Sequence, residues 1–210
     1  MKKIPLHRSL IYVPEGAGPH PVLCFLHGAG EAALSKKGGR QSLDKLLEHQ
    51  SPAWHSENRS SFIGRFLIIC PQLESYRRWE GEDARSVDEL VNFATGLYHG
   101  DPLRLALTGF SYGGDGTFQI ACRSRLRWST IWAVDPALQR TTPRPNNDIR
   151  VWVHHGTEQP SKEMPKFITD LGLQLWPQNP QRVLTALETN HVTTCVEAFG
   201  QAIVYEWLLP

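Results

Sequence analysis

Short apolar runs at residues 8–13, 21–27, 65–70, 103–108, 129–134, 149–154 and 182–187 alternate along the chain with longer segments of helical period. The middle runs are apolar almost without interruption. That pattern suits parallel strands covered on both faces, and parallel neighbours need long, usually helical, crossovers between them. The alternation therefore predicts an α/β fold of three layers, with helices on both faces of a mostly parallel central sheet of about seven strands. At 210 residues and 40% hydrophobic content, the chain can bury one sizeable core, so a single domain over residues 1–210 is expected.

Two helices carry start signals. Ser86 with Glu89 reads as a capping box ahead of Val87, Leu90, Val91, Ala94, Leu97 and Tyr98, and Gly100 and Asp101-Pro102 end that segment. Thr194 with Glu197 reads as a second box, opening a helix that carries Val196, Phe199, Ile203 and Trp207 along one side.

Lys+Arg 22 against Asp+Glu 21 gives a formal net charge of +1, which lacks the basic field that drives nucleic-acid binding. No stretch approaches the roughly 20 apolar residues of a membrane span, and no signal-peptide core follows Lys2 and Lys3. Cys24, Cys70, Cys122 and Cys195 are scattered singly, without metal or disulfide spacing. A cytoplasmic protein with free thiols is the expectation.

The chemistry concentrates in "LRLALTGFSYGGDGTF", where a buried strand runs into Gly109-x-Ser111-x-Gly113 and then a helical segment from about Asp115. This is the context of a nucleophile elbow. The sharp turn strains the serine backbone, glycines admit the close approach of neighbouring elements, and the hydroxyl stands beside a helix N-terminus that stabilises negative charge. "VLCFLHGAGE" is a second strand ending in a glycine-bearing loop, Gly28-Ala29-Gly30. The Ala29 and Tyr112 amides are the expected oxyanion donors, Gly28 and Gly30 let the loop backbone reach the substrate, and His27 orients the loop. A serine needs a base, and His191, after the last strand in "LETNHVTTC", is the histidine in position. His154 and His155 end a strand but have no carboxylate or cysteine at ligand spacing, so no metal is expected.

Taken together, "FLHGAGE", "IICPQ" followed by Trp79, "LTGFSYGGDGTF", "VWVHHG" and "NHVTTCVEAFGQAIVYEWLL" resemble the α/β-hydrolase superfamily. Within it they are most similar to the compact esterases, the phospholipase/carboxylesterase-like proteins and the polyhydroxybutyrate-depolymerase-like peptidases. The resemblance covers most of the chain in order and implies a Ser-His-acid hydrolase without a cofactor.

The chain departs from this pattern at the acid. Gln159 stands where the resemblance places an aspartate, and a glutamine cannot offset the charge of an imidazolium. Glu158, its neighbour in a shortened loop, is the first candidate. Asp135, after the strand "STIWAV", is the alternative, followed by Glu163 or no acid at all.

The segment at residues 135–149 is too short and proline-rich for a large lid domain, so an open site for a small-molecule ester or acyl substrate is expected. Trp79 and Tyr76 are candidate substrate contacts, and Arg77 or Arg78 a candidate partner for a carboxylate. An acyltransferase, or a binding protein that keeps the fold with a weakened triad, are the competing functions.

Overall fold

The computed structural model describes residues 2–6, as backbone alone, and residues 8–209. Among these residues the sheet has nine strands in the order β1-β2-β4-β3-β5-β6-β7-β9-β8. In chain order these are β1 (Lys2–Leu6), β2 (Ser9–Val13), β3 (His20–Leu26), β4 (Leu67–Pro71), β5 (Gly100–Phe110), β6 (Trp128–Val134), β7 (Arg150–Gly156), β8 (Gln174–Leu175) and β9 (Arg182–Leu187). Pairing is antiparallel from β1 to β2 and from β2 to β4, and parallel everywhere else. The two strands beyond the expected seven are the edges. β1 contains Pro5, which lacks a ladder donor and is tolerated on an edge, and β8 is two exposed residues, too short for any periodicity to register.

Among the described residues, six α-helices flank the sheet: α1 (Pro52–Glu57), α2 (Ala84–Leu97), α3 (Tyr112–Ala121), α4 (Met164–Leu171), α5 (His191–Phe199) and α6 (Ala202–Leu208). Successive strand residues face opposite ways, so Leu23 and Ile68 pack with Ala53, Phe199 and Tyr205 of α1, α5 and α6. Cys24 and Ile69 pack on the other side with Val87, Val91 and Ile120 of α2 and α3. A further cluster joins Ile131 and Val153 to Phe118 of α3 and to Met164 and Phe167 of α4. The result is three layers with both sheet faces covered and no inserted lid between β6 and β7. Among the described residues, no helix is long and apolar enough to cross a membrane.

Both expected capping boxes are displaced. α2 begins at Ala84, after a 3-10 turn (Gly81–Asp83) in which Glu80 and Asp83 form the reciprocal box, so Ser86 and Glu89 lie inside the helix. α5 begins at His191, with the Asn190 side chain accepting from the Thr193 amide, so Thr194 is already helical. The chain breaks after Phe199, where Gln201 is extended (φ −84°, ψ 99°), and this rotates the phase of the final helix. Ile203, expected on the buried side, is exposed, whereas Val204 and Tyr205 are buried.

His154 on β7 belongs to the core rather than to a metal site. The Trp132 indole N–H donates to its Nδ1 at 3.1 Å, which leaves the hydrogen on Nε2 facing the Gln201 carbonyl oxygen at 3.2 Å. Burial pushes its pKa down to about 4. A base depressed in the folded state contributes stability that is present above its unfolded pKa near 6.5 and lost as the pH falls below it. This one group is expected to remove about 2 kcal/mol between pH 7 and pH 5. Urea unfolding of wild type and of His154→Gln at both values measures it: the variant is expected to lose distinctly less stability on acidification, and an equal loss in both would contradict the assignment.

Candidate active site

Ser111 lies between β5 and α3 with φ 57° and ψ −116°, a backbone conformation that side chains rarely adopt. Main-chain bonds hold it there: its amide donates to the Val134 carbonyl at 3.0 Å, and its own carbonyl accepts from the amides of Ala137 at 3.0 Å and Asp115 at 3.1 Å. α3 starts at Tyr112, three residues before the expected point, so the Tyr112 amide is one of the N–H groups with no intrahelical partner at the start of a helix.

Gly113 shows why the turn needs glycine. A Cβ there would collide with the Leu26 carbonyl and lie 2.6 Å from the His27 oxygen, both fixed main chain at the end of β3. Gly113→Ala is expected to cost about 1–3 kcal/mol and lower Tm by roughly 5 °C. Gly30→Ala, where a Cβ meets nothing within 4 Å, is expected to leave Tm in place. Thermal unfolding of the two variants side by side checks this contrast.

The structure brings three side chains together: Ser111 between β5 and α3, Asp135 after β6, and His191 at the start of α5. His191 Nε2 is 2.9 Å from Ser111 Oγ, and its Nδ1 contacts Asp135 Oδ2. The other Asp135 oxygen accepts from the Gly156 amide at 2.9 Å. Asp135 follows β6 with φ 38°, and its own amide donates to the His154 carbonyl at 2.7 Å. The strained turn thus swings a nearly buried carboxylate towards His191. Phe110, the residue before the serine, packs its ring 4.5 Å from the imidazole of His191 at an interplanar angle of 31°.

The expectation that Glu158 orients His191 is corrected by this geometry. The residue on Nδ1 is the alternative, Asp135, whereas Glu158 is exposed in the run that follows Gly156. β7 ends by donating its Gly156 amide to Asp135, and the chain then turns outward with the Thr157 amide on the Leu187 carbonyl.

The loop facing the elbow is a 3-10 turn (Ala29–Glu31) preceded by Gly28. A Cβ on Gly28 would lie 3.5 Å from Ser111 Cβ, so this backbone borders the hydroxyl directly. His27 is fully buried and anchors the loop. Its Nε2 accepts from the Leu73 amide at 2.9 Å, so its Nδ1 carries the hydrogen and donates to the Gly28 carbonyl at 2.6 Å.

Trp79, expected against the substrate, is also corrected. It is buried at 3% exposure, and its indole N–H donates to the His27 carbonyl at 2.9 Å. It supports the loop from behind. Gly30 is exposed and has open space around it.

Two acidic groups near the site came from no sequence signal. Glu31 is buried beside His27 and His49. Although burial raises a carboxyl pKa, the two histidines outweigh it and hold this one at about 2. Glu31, Glu48 and His49 also bring potential metal-donor atoms within 4.8 Å of one another. The second group is Asp115, buried under the elbow, where burial raises its pKa.

Ser111, Asp135 and His191 open into a cavity of about 360 Å³, whose remaining lining is Arg78, Pro136, Ala137, Leu138, Gln159 and Ser161. Such an arrangement can deprotonate a hydroxyl as it attacks a carbonyl, hold the resulting imidazolium against a carboxylate, and present main-chain N–H groups to an oxyanion.

No family model and no curated protein matches the chain. Solved structures do, at low identity. A thermostable esterase aligns at TM-score 0.74 and 17% identity over 95% of this chain, which spans 58% of that protein's length. FphF of Staphylococcus aureus, a fluorophosphonate-binding serine hydrolase solved with bound substrate, aligns at TM-score 0.65 and 12% identity over 96% of this chain and 92% of its own. An α/β serine hydrolase without lid from Xanthomonas campestris aligns at TM-score 0.59 and 16% identity over 96% of this chain and 89% of its own. The chain has the α/β-hydrolase fold.

Proposed function

We propose that the protein is a serine hydrolase that cleaves carboxylic esters through an acyl-enzyme on Ser111, with His191 as base and Asp135 as the acid. The observation that carries this reading is the continuous hydrogen-bonded line from Ser111 Oγ through His191 and Asp135 to the Gly156 amide.

In the first half-reaction Ser111 Oγ attacks the ester carbonyl carbon and its proton passes to His191 Nε2. Asp135 keeps the hydrogen on Nδ1 and stabilises the imidazolium. The oxyanion is received by the amides of Tyr112 and Ala29. The intermediate collapses as His191 returns the proton to the departing alcohol. Water then gives its proton to His191 and attacks the acyl carbon, and Ser111 leaves as a restored hydroxyl. No cofactor enters either step.

The names of the aligned proteins, esterase and serine hydrolase, agree with this chemistry. The reading takes residues 1–210 as one hydrolase domain acting on a small molecule. A cytoplasmic location accords with four free cysteines. The Asp135 carboxylate on His191 supports the enzyme over a binding protein with a weakened triad, the reading that Gln159 in the acid position suggests. Turnover of p-nitrophenyl butyrate by the purified protein tests the proposal: release of nitrophenolate above the buffer rate that disappears in Ser111→Ala supports it, and equal rates in both proteins would reject it.

A further inference from the structure

Arg77 and Arg78 are adjacent in sequence but have different surroundings. Arg77 is committed to Asp83 through two parallel hydrogen bonds of 2.7 and 2.6 Å. Arg78 lines the Ser111 cavity, and its guanidinium is fixed from three directions. Nη1 donates to the Ala137 carbonyl at 2.7 Å, the group lies 4.2 Å from the centre of the Tyr112 ring, and Asp115 Oδ2 stands 3.8 Å behind it. Tyr112 is the residue after the nucleophile and Ala137 binds the nucleophile's own carbonyl, so these contacts tie the position of Arg78 to that of Ser111.

The cavity lining holds one cation and one carboxylate, and the carboxylate is already committed. Among its lining residues Arg78 is the cation, and Gln159 and Ser161 add neutral hydrogen-bonding groups. The carboxylate in the lining is Asp135, whose two oxygens are engaged by His191 and the Gly156 amide. Asp115 is fully buried and does not line the cavity. A guanidinium presents five donors in a planar fork suited to a carboxylate. One of its nitrogens is turned to the Ala137 carbonyl, and the side chain retains 28% exposure.

We infer that Arg78 is a specificity-determining residue that binds a carboxylate on the substrate, so that the preferred esters are anionic. The inference deepens the hydrolase reading and rests on it. The carboxylate can belong to the acyl group or to the leaving group, and the two placements are separable.

The test compares kcat/KM for two matched pairs: p-nitrophenyl hemiglutarate against its methyl ester, and 4-acetoxybenzoate against its methyl ester. Wild type is expected to favour the charged member of one pair by about 10- to 10²-fold, mainly through KM, and the pair that responds identifies the side of the scissile bond. Arg78→Met is expected to bring that ratio close to one, and Arg78→Lys to keep part of it, because a point charge survives without the fork. A wild type indifferent to charge in both pairs, or a ratio that persists in Arg78→Met, would overturn the inference. If Arg78→Met does not fold, the ratio in Arg78→Lys decides: a ratio equal to that of wild type counts against the fork. If wild type hydrolyses no ester, the hydrolase reading fails separately. Calorimetric binding of glutarate to wild type and to Arg78→Gln then decides for Arg78, with equal or absent binding in both counting against it.

Discussion

Replacing Ser111 with alanine is expected to lower kcat for ester hydrolysis by about 10⁴-fold or more while leaving the fold intact. The expectation follows from where the side chain sits. Its hydroxyl meets His191 at the cavity and takes no part in the core, whereas main-chain bonds to Val134, Ala137 and Asp115 hold the turn itself. Alanine preserves those bonds and removes the atom that forms the acyl-enzyme. What remains is substrate binding and the oxyanion donors, which still support attack by water at roughly 10³- to 10⁴-fold over the uncatalysed rate, far below the intact triad. Steady-state kinetics with thermal unfolding on the same samples checks both halves: a variant with the wild-type Tm and the wild-type kcat would show that the nucleophile lies elsewhere.

The second large effect is expected at Asp135. Asp135→Asn should lower kcat by roughly 10²- to 10⁴-fold, whereas Glu158→Gln should change it less than about threefold. An asparagine that keeps its oxygen on the Gly156 amide presents its amide group to His191 Nδ1. That donor stabilises the tautomer with hydrogen on Nε2, which cannot accept the Ser111 proton. Glu158 is exposed and has no comparable leverage. The reverse ranking would return the acid role to the β7 loop, and small effects from both would mean that neutral groups orient the base.

This contrast also marks the limit of what the sequence discloses. Ser111 and His191 are legible because their signals are local: a buried strand, a glycine-flanked turn and a helix for one, a last strand followed by a helix for the other. The carboxylate that meets His191 is set by register between strands. Asp135 reaches His191 because β6 lies beside β7, with Val134 opposite His154, and because the Gly156 amide is free to bond a carboxylate 21 residues away in the chain. No spacing rule along the chain encodes that meeting, so two carboxylates at adjacent strand ends look equivalent.

Trp79 fails for a related reason. An aromatic residue in a loop after a strand reads equally as ligand contact or as anchor, and its burial follows from the contact with the His27 carbonyl and from the space left by Gly116, where a Cβ would come 2.5 Å from Trp79 Cβ. Arg78 and Arg77 read alike until Asp83 is seen to take one of them. The parallel sheet was legible because its strands are almost uninterrupted apolar runs. Its edges were not, because β1 carries a proline and β8 has too few residues to show a pattern.

The most direct test of the central claim is covalent. A fluorophosphonate probe reacts with a serine hydroxyl when a neighbouring base accepts its proton, and an oxyanion site stabilises the phosphorus centre as fluoride leaves. Intact-mass measurement after labelling is predicted to find one phosphonyl group per chain, which peptide mapping places on Ser111, and none on Ser111→Ala under the same conditions. A wild-type protein that stays unlabelled, or a label that persists in Ser111→Ala, would contradict the assignment of Ser111 as an activated nucleophile.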